Sequence, residues 1–355
     1  MMLRVTVIFL LIFTTAFASI NNSLRIYADG VQLENDKKID LAIDLYKKVL
    51  VTAPYLTEVL VRLGICQLRM YKIDEAIETF NQLLQNPETS ALAYRYLGWC
   101  YLNRSDFQKA LVNFEKAWGS SSGNFFSELD LGIIYSELRI NLLAREHLQK
   151  ALLLNPNSSL VYTHLGKLYL REGQLEKALP FIEKAIELDP DNAWAHNEMG
   201  VYYFKKKDFP NAVSEFAQSL KLVMEYKDTS LFNIARAENN LGLVFFEQGN
   251  FSLSYLHLQK ALEVDPLNPA PYNNVSWFFA LKDVNLDKAL EYANKALELD
   301  PVNPAYWDTL GEVYYKLGKL DKAKEALDKA IQLEPENEEY KEHLQKILQS
   351  KNKKN

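Results

Sequence analysis

Six glycines stand 34 residues apart along this chain: Gly30, Gly64, Gly98, Gly132, Gly166 and Gly200. Gly242 follows after 42 residues, Ser276 holds the next equivalent place after 34, and Gly311 comes 35 later. Alanines keep the same register twelve residues beyond most of these glycines, at Ala42, Ala76, Ala110, Ala144, Ala178, Ala212 and Ala323. Prolines close many of the intervals, at Pro54, Pro156, Pro190, Pro266, Pro301 and Pro335. A period held this long restricts the chain to a repeat architecture, in which each interval is one supersecondary element stacked on its neighbours.

Each interval reads as two helices. From Tyr306 to Tyr315 apolar residues recur at helical spacing, and Gly318 supplies the left-handed turn that ends such a helix. Asp321 to Leu333 forms a second amphipathic stretch, stopped by Pro335. Gly311 and Ala323 let the two helices approach closely, while Trp307, Leu310 and Tyr314 fill the space beside them. A pair this short cannot bury its apolar face alone, so neighbouring pairs must stack. Composition agrees: 48% hydrophobic and 24% charged residues describe a folding chain, and 13 Gly with 12 Pro are too few for the many turns of an all-β one.

The series Trp307, Leu310, Gly311, Tyr314, Ala323, Leu327, Ala330 and Pro335 resembles the tetratricopeptide-repeat pattern W-x2-L-G-x2-Y, A, large apolar, A, P. Tyr94, Leu97, Gly98, Tyr101, Ala110, Phe114 and Ala117 carry it again. The resemblance implies an all-α, right-handed superhelical solenoid of nine repeats: 23–56, 57–90, 91–124, 125–158, 159–192, 193–234, 235–268, 269–303 and 304–337. Residues 338–355 are expected to give a capping helix and a disordered basic tail. Three departures stand out. Asp29 replaces the usual Leu, which predicts a frayed or atypical first repeat; eight extra residues around Lys221–Asn233 predict a lengthened second helix; and the eighth repeat has Ser276 for Gly and one extra residue before Ala289.

The N-terminus carries a different signal. Arg4 precedes 14 uncharged residues, Val5 to Ala18, which end in Ala16-Phe17-Ala18. That is the layout of a secretory signal peptide cleaved after Ala18, since crossing ~30 Å of hydrocarbon takes about 20 apolar residues. The expectation is an exported protein (periplasmic, envelope-associated or secreted), with membrane attachment only if the segment stays uncleaved.

Chemistry-bearing motifs are missing from the sequence. A net charge of −6 disfavours a nucleic-acid partner. Eight glycines hold the helix-packing place, Gly173, Gly249 and Gly318 end first helices, and Gly119 and Gly123 are assigned to a loop. None remains for a phosphate-binding or dinucleotide-binding loop. The five histidines lie far apart, without metal-ligand spacing. Two cysteines cannot build a disulfide framework. Cys66 and Cys100 hold the same place in adjacent repeats, ~8–10 Å apart by helix packing, beyond the ~7 Å reach of a disulfide, and are expected as buried thiols. A Ser-His-Asp set assembled only in space stays open at this point. The expectation is a non-enzymatic chain without catalytic residues, cofactor or metal.

The resemblance also implies that first helices line a concave groove. Its exposed places hold eight basic residues (Arg62, Arg69, Arg95, Lys167, Arg171, Lys205, Arg236 and Lys316) and eight acidic ones (Glu34, Glu58, Asp130, Glu137, Glu198, Glu247, Asp308 and Glu312), so the groove is not one-signed. Asn197, Asn239 and Asn273 fall on successive repeats, with Asn240 and Asn274 beside two of them. An asparagine offers donor and acceptor alike, which matches an extended peptide backbone. Trp194, Phe204, Phe246 and Trp277 would add apolar pockets, and Arg236 lies among them. The asparagines are expected to face solvent when no partner is bound. The reading is an exported scaffold or adaptor that binds a protein or peptide in this groove, with no nucleic acid and no small-molecule cofactor. Its alternative is a structural subunit of an envelope or secretion assembly that self-associates end to end.

Overall fold

A computed structural model of the chain describes residues 21–120, 123–225 and 231–354. The expected signal peptide, residues 1–18, lies outside them. Among the described residues the regular elements are nineteen α-helices and one 3-10 turn. In chain order they pair as α1 (21–35) with α2 (Ile39–Thr52), α3 (Thr57–Arg69) with α4 (Ile73–Leu83), and α5 (Ser90–Asn103) with α6 (Phe107–Ser120). Then come α7 (Phe125–Glu137) with α8 (Asn141–Leu154), next α9 (Ser159–Arg171), next α10 (Leu175–Leu188), and α11 (Ala193–Lys205) with α12 (Phe209–Glu225). The series closes with α13 (Leu231–Glu247) and α14 (Phe251–Val264), α15 (Pro269–Lys282) and α16 (Leu286–Leu299), α17 (Pro304–Lys316) and α18 (Leu320–Leu333), and α19 (Glu338–Lys354). The described residues divide into two compact units, one up to Gln174 with Glu225, the other from Leu175 onward.

The glycine register has a packing cause. A Cβ placed on Gly98 would lie 2.5 Å from the Phe114 ring, one on Gly200 2.6 Å from Phe216, and one on Gly242 2.7 Å from Leu258. Each glycine thus seats the large side chain sixteen residues on, and Phe80, Phe114 and Phe216 are buried there. Ser276 keeps the same place because its hydroxyl donates to the Ala289 carbonyl at 2.8 Å. Asparagine and serine side chains cap the starts of several first helices, Asn192 accepting from the Trp194 and Ala195 amides and Ser158 from Val161.

First helices end on a left-handed residue. Gly173, Gly249 and Gly318 adopt it with φ between 71° and 75°, whereas Tyr71, Ser105, Arg139 and Lys207 adopt it at 58–60° without being glycine. That conformation costs an L-residue ~1–2 kcal/mol, partly offset by the greater freedom glycine gives the unfolded chain, ~0.4–1 kcal/mol. Lys207→Gly is therefore expected to stabilise by about 0.5 kcal/mol, read from urea unfolding midpoints; a loss of stability would contradict the strain argument.

Several expectations are amended. α1 is a continuous helix from 21 to 35, with Gly30 buried against Tyr46, so the first repeat is not frayed over the described residues. The insertion lengthens two helices rather than one: α12 and α13 have 17 residues each, against 14 in most second helices and 13 in α11. Gly119 sits in the last turn of α6, not in a loop. α4 has only 11 residues.

α19 runs through the basic segment as far as Lys354, where a disordered tail was expected. It buries Ile347 against Ala323 and Leu327. His343 Nδ1 lies 2.7 Å from Asp308 Oδ1, and Lys346 donates to Glu312 at 3.2 Å. The hydrogen bond to Asp308 raises the His343 pKa, against the opposing effect of burial. A raised histidine pKa gives stability that is fully present below the unfolded value of about 6.5 and is lost as pH rises through the folded one. Amide exchange in α19, corrected for intrinsic rates, should show greater protection at pH 6 than at pH 8.5; equal protection would exclude this contribution.

Candidate protein-binding face of the first helices

The ten groove residues read from the sequence all lie on α11, α13 and α15, within the second compact unit. Their asparagines do not face solvent. Asn197, Asn239 and Asn273 are 4%, 7% and 9% exposed, and Asn240 and Asn274 are half-buried. Asn240 Nδ2 donates to Asn197 Oδ1 at 2.9 Å, and Asn274 Nδ2 donates to Asn239 Oδ1 at 2.7 Å. Asn197 Nδ2 in turn donates to Glu198 Oε1 at 3.2 Å. The physical reason is proximity: the amide of one first helix reaches the asparagine one place before its counterpart on the preceding one, and buried amides take the partners within reach. Asn273 Oδ1 is left buried without a hydrogen-bond partner among the described residues. Asn239→Ala would strand the Asn274 amide, so it should cost about 1–2 kcal/mol of stability in chemical denaturation. Wild-type stability would mean the ladder contributes nothing.

The remaining predicted residues separate into different surroundings. The Arg236 guanidinium lies 5.3 Å from the centre of the Trp194 ring and 3.8 Å from Glu198 Oε1. Phe204 packs against Phe209, and Phe246 against Phe251 and Phe278 at 5.7 and 5.9 Å between ring centres. The Phe204–Phe209 and Phe246–Phe251 contacts join first helices to second ones near the hairpin turns, and Phe246–Phe278 joins α13 to α15. Trp277 stands 6.1 Å from the His343 ring of α19. Asn240, Asn197, Glu198, Arg236 and Trp194 form one connected set, and Asn239, Asn274 and Asn273 form a second beside it.

Sequence counting found the charges of this face but not their pairing. In the first compact unit Arg62 reaches Glu34 at 3.2 Å and Glu58 at 3.1 Å, and Lys167 reaches Glu137 at 2.6 Å. Arg95 Nε donates to Asp130 Oδ2 at 2.6 Å, and Trp99 Nε1 donates to Asp130 Oδ1 at 3.1 Å. Burial pushes the Asp130 carboxyl up to about 6, held back by Arg95. Opposite charges 28–35 residues apart were the available signal. A second missed pattern joins the two helices of one hairpin. His147 meets Glu128 at 2.7 Å, His196 meets Glu215 at 2.7 Å and His257 meets Glu238 at 2.5 Å, each pair 19 residues apart. The bond to Glu215 raises the His196 pKa.

Cys66 and Cys100 are free and buried, as expected, and burial pushes both thiols up to about 12, which leaves no thiolate near neutral pH. Among the described residues no three His, Cys, Asp or Glu side chains are placed to hold a metal ion, and no helix is long and apolar enough to cross a membrane.

Five family models described as tetratricopeptide repeat match residues 58–89, 159–192, 191–266, 239–304 and 304–337, together more than half of the chain. Anaphase-promoting complex subunit 3 of Schizosaccharomyces pombe (strain 972 / ATCC 24843) is 28% identical over 137 residues. That match covers 39% of this chain and about a fifth, 21%, of the relative. The APC/C hetero-tetramer Cut9-Hcn1 contains a chain of similar fold, with a TM-score of 0.66 at 16% identity over 93% of this chain and 70% of that one. A human IFIT1 dimer with PPP-AAAA has a TM-score of 0.54 at 16% identity, covering 86% of this chain and 81% of its own. These two likenesses concern fold. With the glycine register, the stacked helical hairpins and the matched repeats in agreement, the chain belongs to the tetratricopeptide-repeat family.

Proposed function

We propose that this protein is an exported, non-enzymatic scaffold that binds a protein or peptide segment on the first-helix face of its second compact unit. The observation that carries the reading is the two neighbouring amide pairs, Asn240 with Asn197 and Asn274 with Asn239, with Arg236 over Trp194 beside the first. The half-buried amides keep donor and acceptor capacity beyond the bonds they make to one another, and Asn273 Oδ1 has an acceptor site to spare. A backbone laid along this row would exchange amide–amide bonds for amide–backbone bonds, nearly neutral in hydrogen bonding, while burying apolar area against Trp194. The partner's side chains, not the backbone bonds, would then supply most of the affinity. Residues 1–18 direct export and are removed behind Ala18 in this reading.

The test places a photo-crosslinking residue at Asn240 or Asn274, and in parallel at Lys288 or Lys295 on α16. Crosslinks to one and the same partner from the first pair, and none from the second, are the expected result. Crosslinks from α16 alone would move binding to the second-helix face and overturn the assignment. N-terminal sequencing of the native protein checks export separately; a chain that retains residues 1–18 would refute cleavage.

A further inference from the structure

The short helix α4 borders a groove on the second-helix side of the first compact unit. Pro87 stands one residue ahead of the register set by Pro54, and the residue before a proline is pushed out of helical geometry. Asn86 accordingly adopts φ −110° and ψ 119°, α4 stops at Leu83, and a 3-10 turn over Pro87–Thr89 replaces its last turn. Most other second helices run for 14 residues. The Thr89 hydroxyl closes the new end by donating to the Leu83 carbonyl at 2.5 Å.

Two cavities lie beside α4, Gln82 lines both, and the second of them is bounded by the segment that replaces the last turn of the helix. One, of about 370 Å³, lies between α2 and α4 over Leu63 of α3. The other, of about 320 Å³, lies between Tyr55 and Leu60 on one side and Leu83 to Thr89 on the other. Val51 and Tyr55, at the rim, are 83% and 74% exposed, and Pro54 and Leu56 beside them are exposed as well. Apolar side chains gathered at the mouths of two adjacent cavities mark a binding surface rather than a solvated turn. The polar lining is amide and acid. Gln82, Gln85 and Asn86 are exposed, and Lys47 is bonded to Glu75 at 3.0 Å while Glu78 is exposed beside them. With two carboxylates against one ammonium, the groove is net negative.

We infer that this groove takes an extended peptide segment that sets an apolar side chain beside a basic one. Two cavities that share Gln82 as a wall suit a short extended segment, whose successive side chains lie ~3.3 Å apart along the chain. The glutamines supply donors and acceptors for its backbone, Val51 and Tyr55 hold its apolar side chain, and Glu78 receives its positive charge. This surface is separate from the asparagine row and goes beyond the reading given above.

The probes are two fluorescent hexapeptides, one alternating leucine with lysine and one alternating leucine with glutamate, titrated against the full chain by anisotropy at 0.15 M salt. The lysine peptide should bind at least tenfold more tightly than the glutamate peptide. Glu78→Lys and Val51→Asp should each weaken it about tenfold or more, whereas Glu263→Lys, the same charge change far along the chain, should not. Hydrogen exchange with saturating lysine peptide should protect residues 47–56 and 78–89. Equal binding of the two peptides, or equal loss from Glu78→Lys and Glu263→Lys, would overturn the inference. So would protection confined to α11, α13 and α15, an outcome that would leave the first-helix reading standing.

Discussion

Gly98→Leu should lower stability by several kcal/mol. The first atom of the new side chain would already lie 2.5 Å from two carbons of the Phe114 ring, and three further carbons would follow it into the same space. Phe114 is 1% exposed and packs among Ala110, Leu131 and Ile134, so it has no vacant volume into which to turn. Overpacking of this kind costs ~1–3 kcal/mol where a core yields, and more where a helix pair must be forced apart. Gly119→Leu is the control, because a Cβ there meets nothing within 4 Å and the position is helical. Helix propensity alone should make that change neutral or slightly stabilising. Urea unfolding followed by far-UV circular dichroism measures both. If the two variants lose equal stability, close packing at the glycine register is not what selects glycine.

Arg95→Met should cost about 3 kcal/mol at pH 8 and much less at pH 5. Asp130 is 2% exposed and takes its bonds from Arg95 and Trp99. Removing the guanidinium would leave an ionised carboxylate buried with one neutral donor, a change that costs ~3–5 kcal/mol in comparable cases. The pH dependence follows from the raised carboxyl. In the native protein Asp130 titrates at about 6, against 3.8 without the fold, so folding is favoured below that window and weakened as pH rises through it. Without Arg95 the folded value climbs further, and at pH 5 the variant escapes most of its penalty by keeping Asp130 protonated. Urea midpoints for both proteins at the two pH values provide the test. A penalty independent of pH would show that Arg95 acts through packing over Phe126, 4.5 Å from its guanidinium carbon, rather than through charge.

The parts of this structure that were legible in the sequence are those governed by steric exclusion. Gly98 and Phe114 recur at a fixed offset because a close approach admits one solution, and that solution repeats wherever the hairpin does. Polar contacts leave a weaker trace. Asn197 and Asn239 sit in repeat places that ordinarily meet solvent, and nothing local says that Asn240 and Asn274 turn toward them and exclude water. Arg95 and Asp130 were each readable as charges, yet their pairing depends on which neighbouring helix a long side chain leans over. The early end of α4 went unread, although Pro87 arrives one residue ahead of the place set by Pro54 and forces Asn86 out of helical geometry.

The ion pairs between successive first helices also limit how such a chain could change its number of repeats. In an array held together by apolar contacts alone, one repeat could be lost or copied and the flanking surfaces would still match. Here the fourth repeat receives Arg95 from the third on Asp130 and offers Glu137 to Lys167 of the fifth. Excision of residues 125–158 would bring His164, 34 positions beyond Asp130, opposite Arg95, and would leave Lys167 without its carboxylate. The joined product would hold the helical register and lose the charge register. Each of these repeats is therefore fitted to its place in the order, and lineages of this protein should vary in length at the ends of the array more readily than within it.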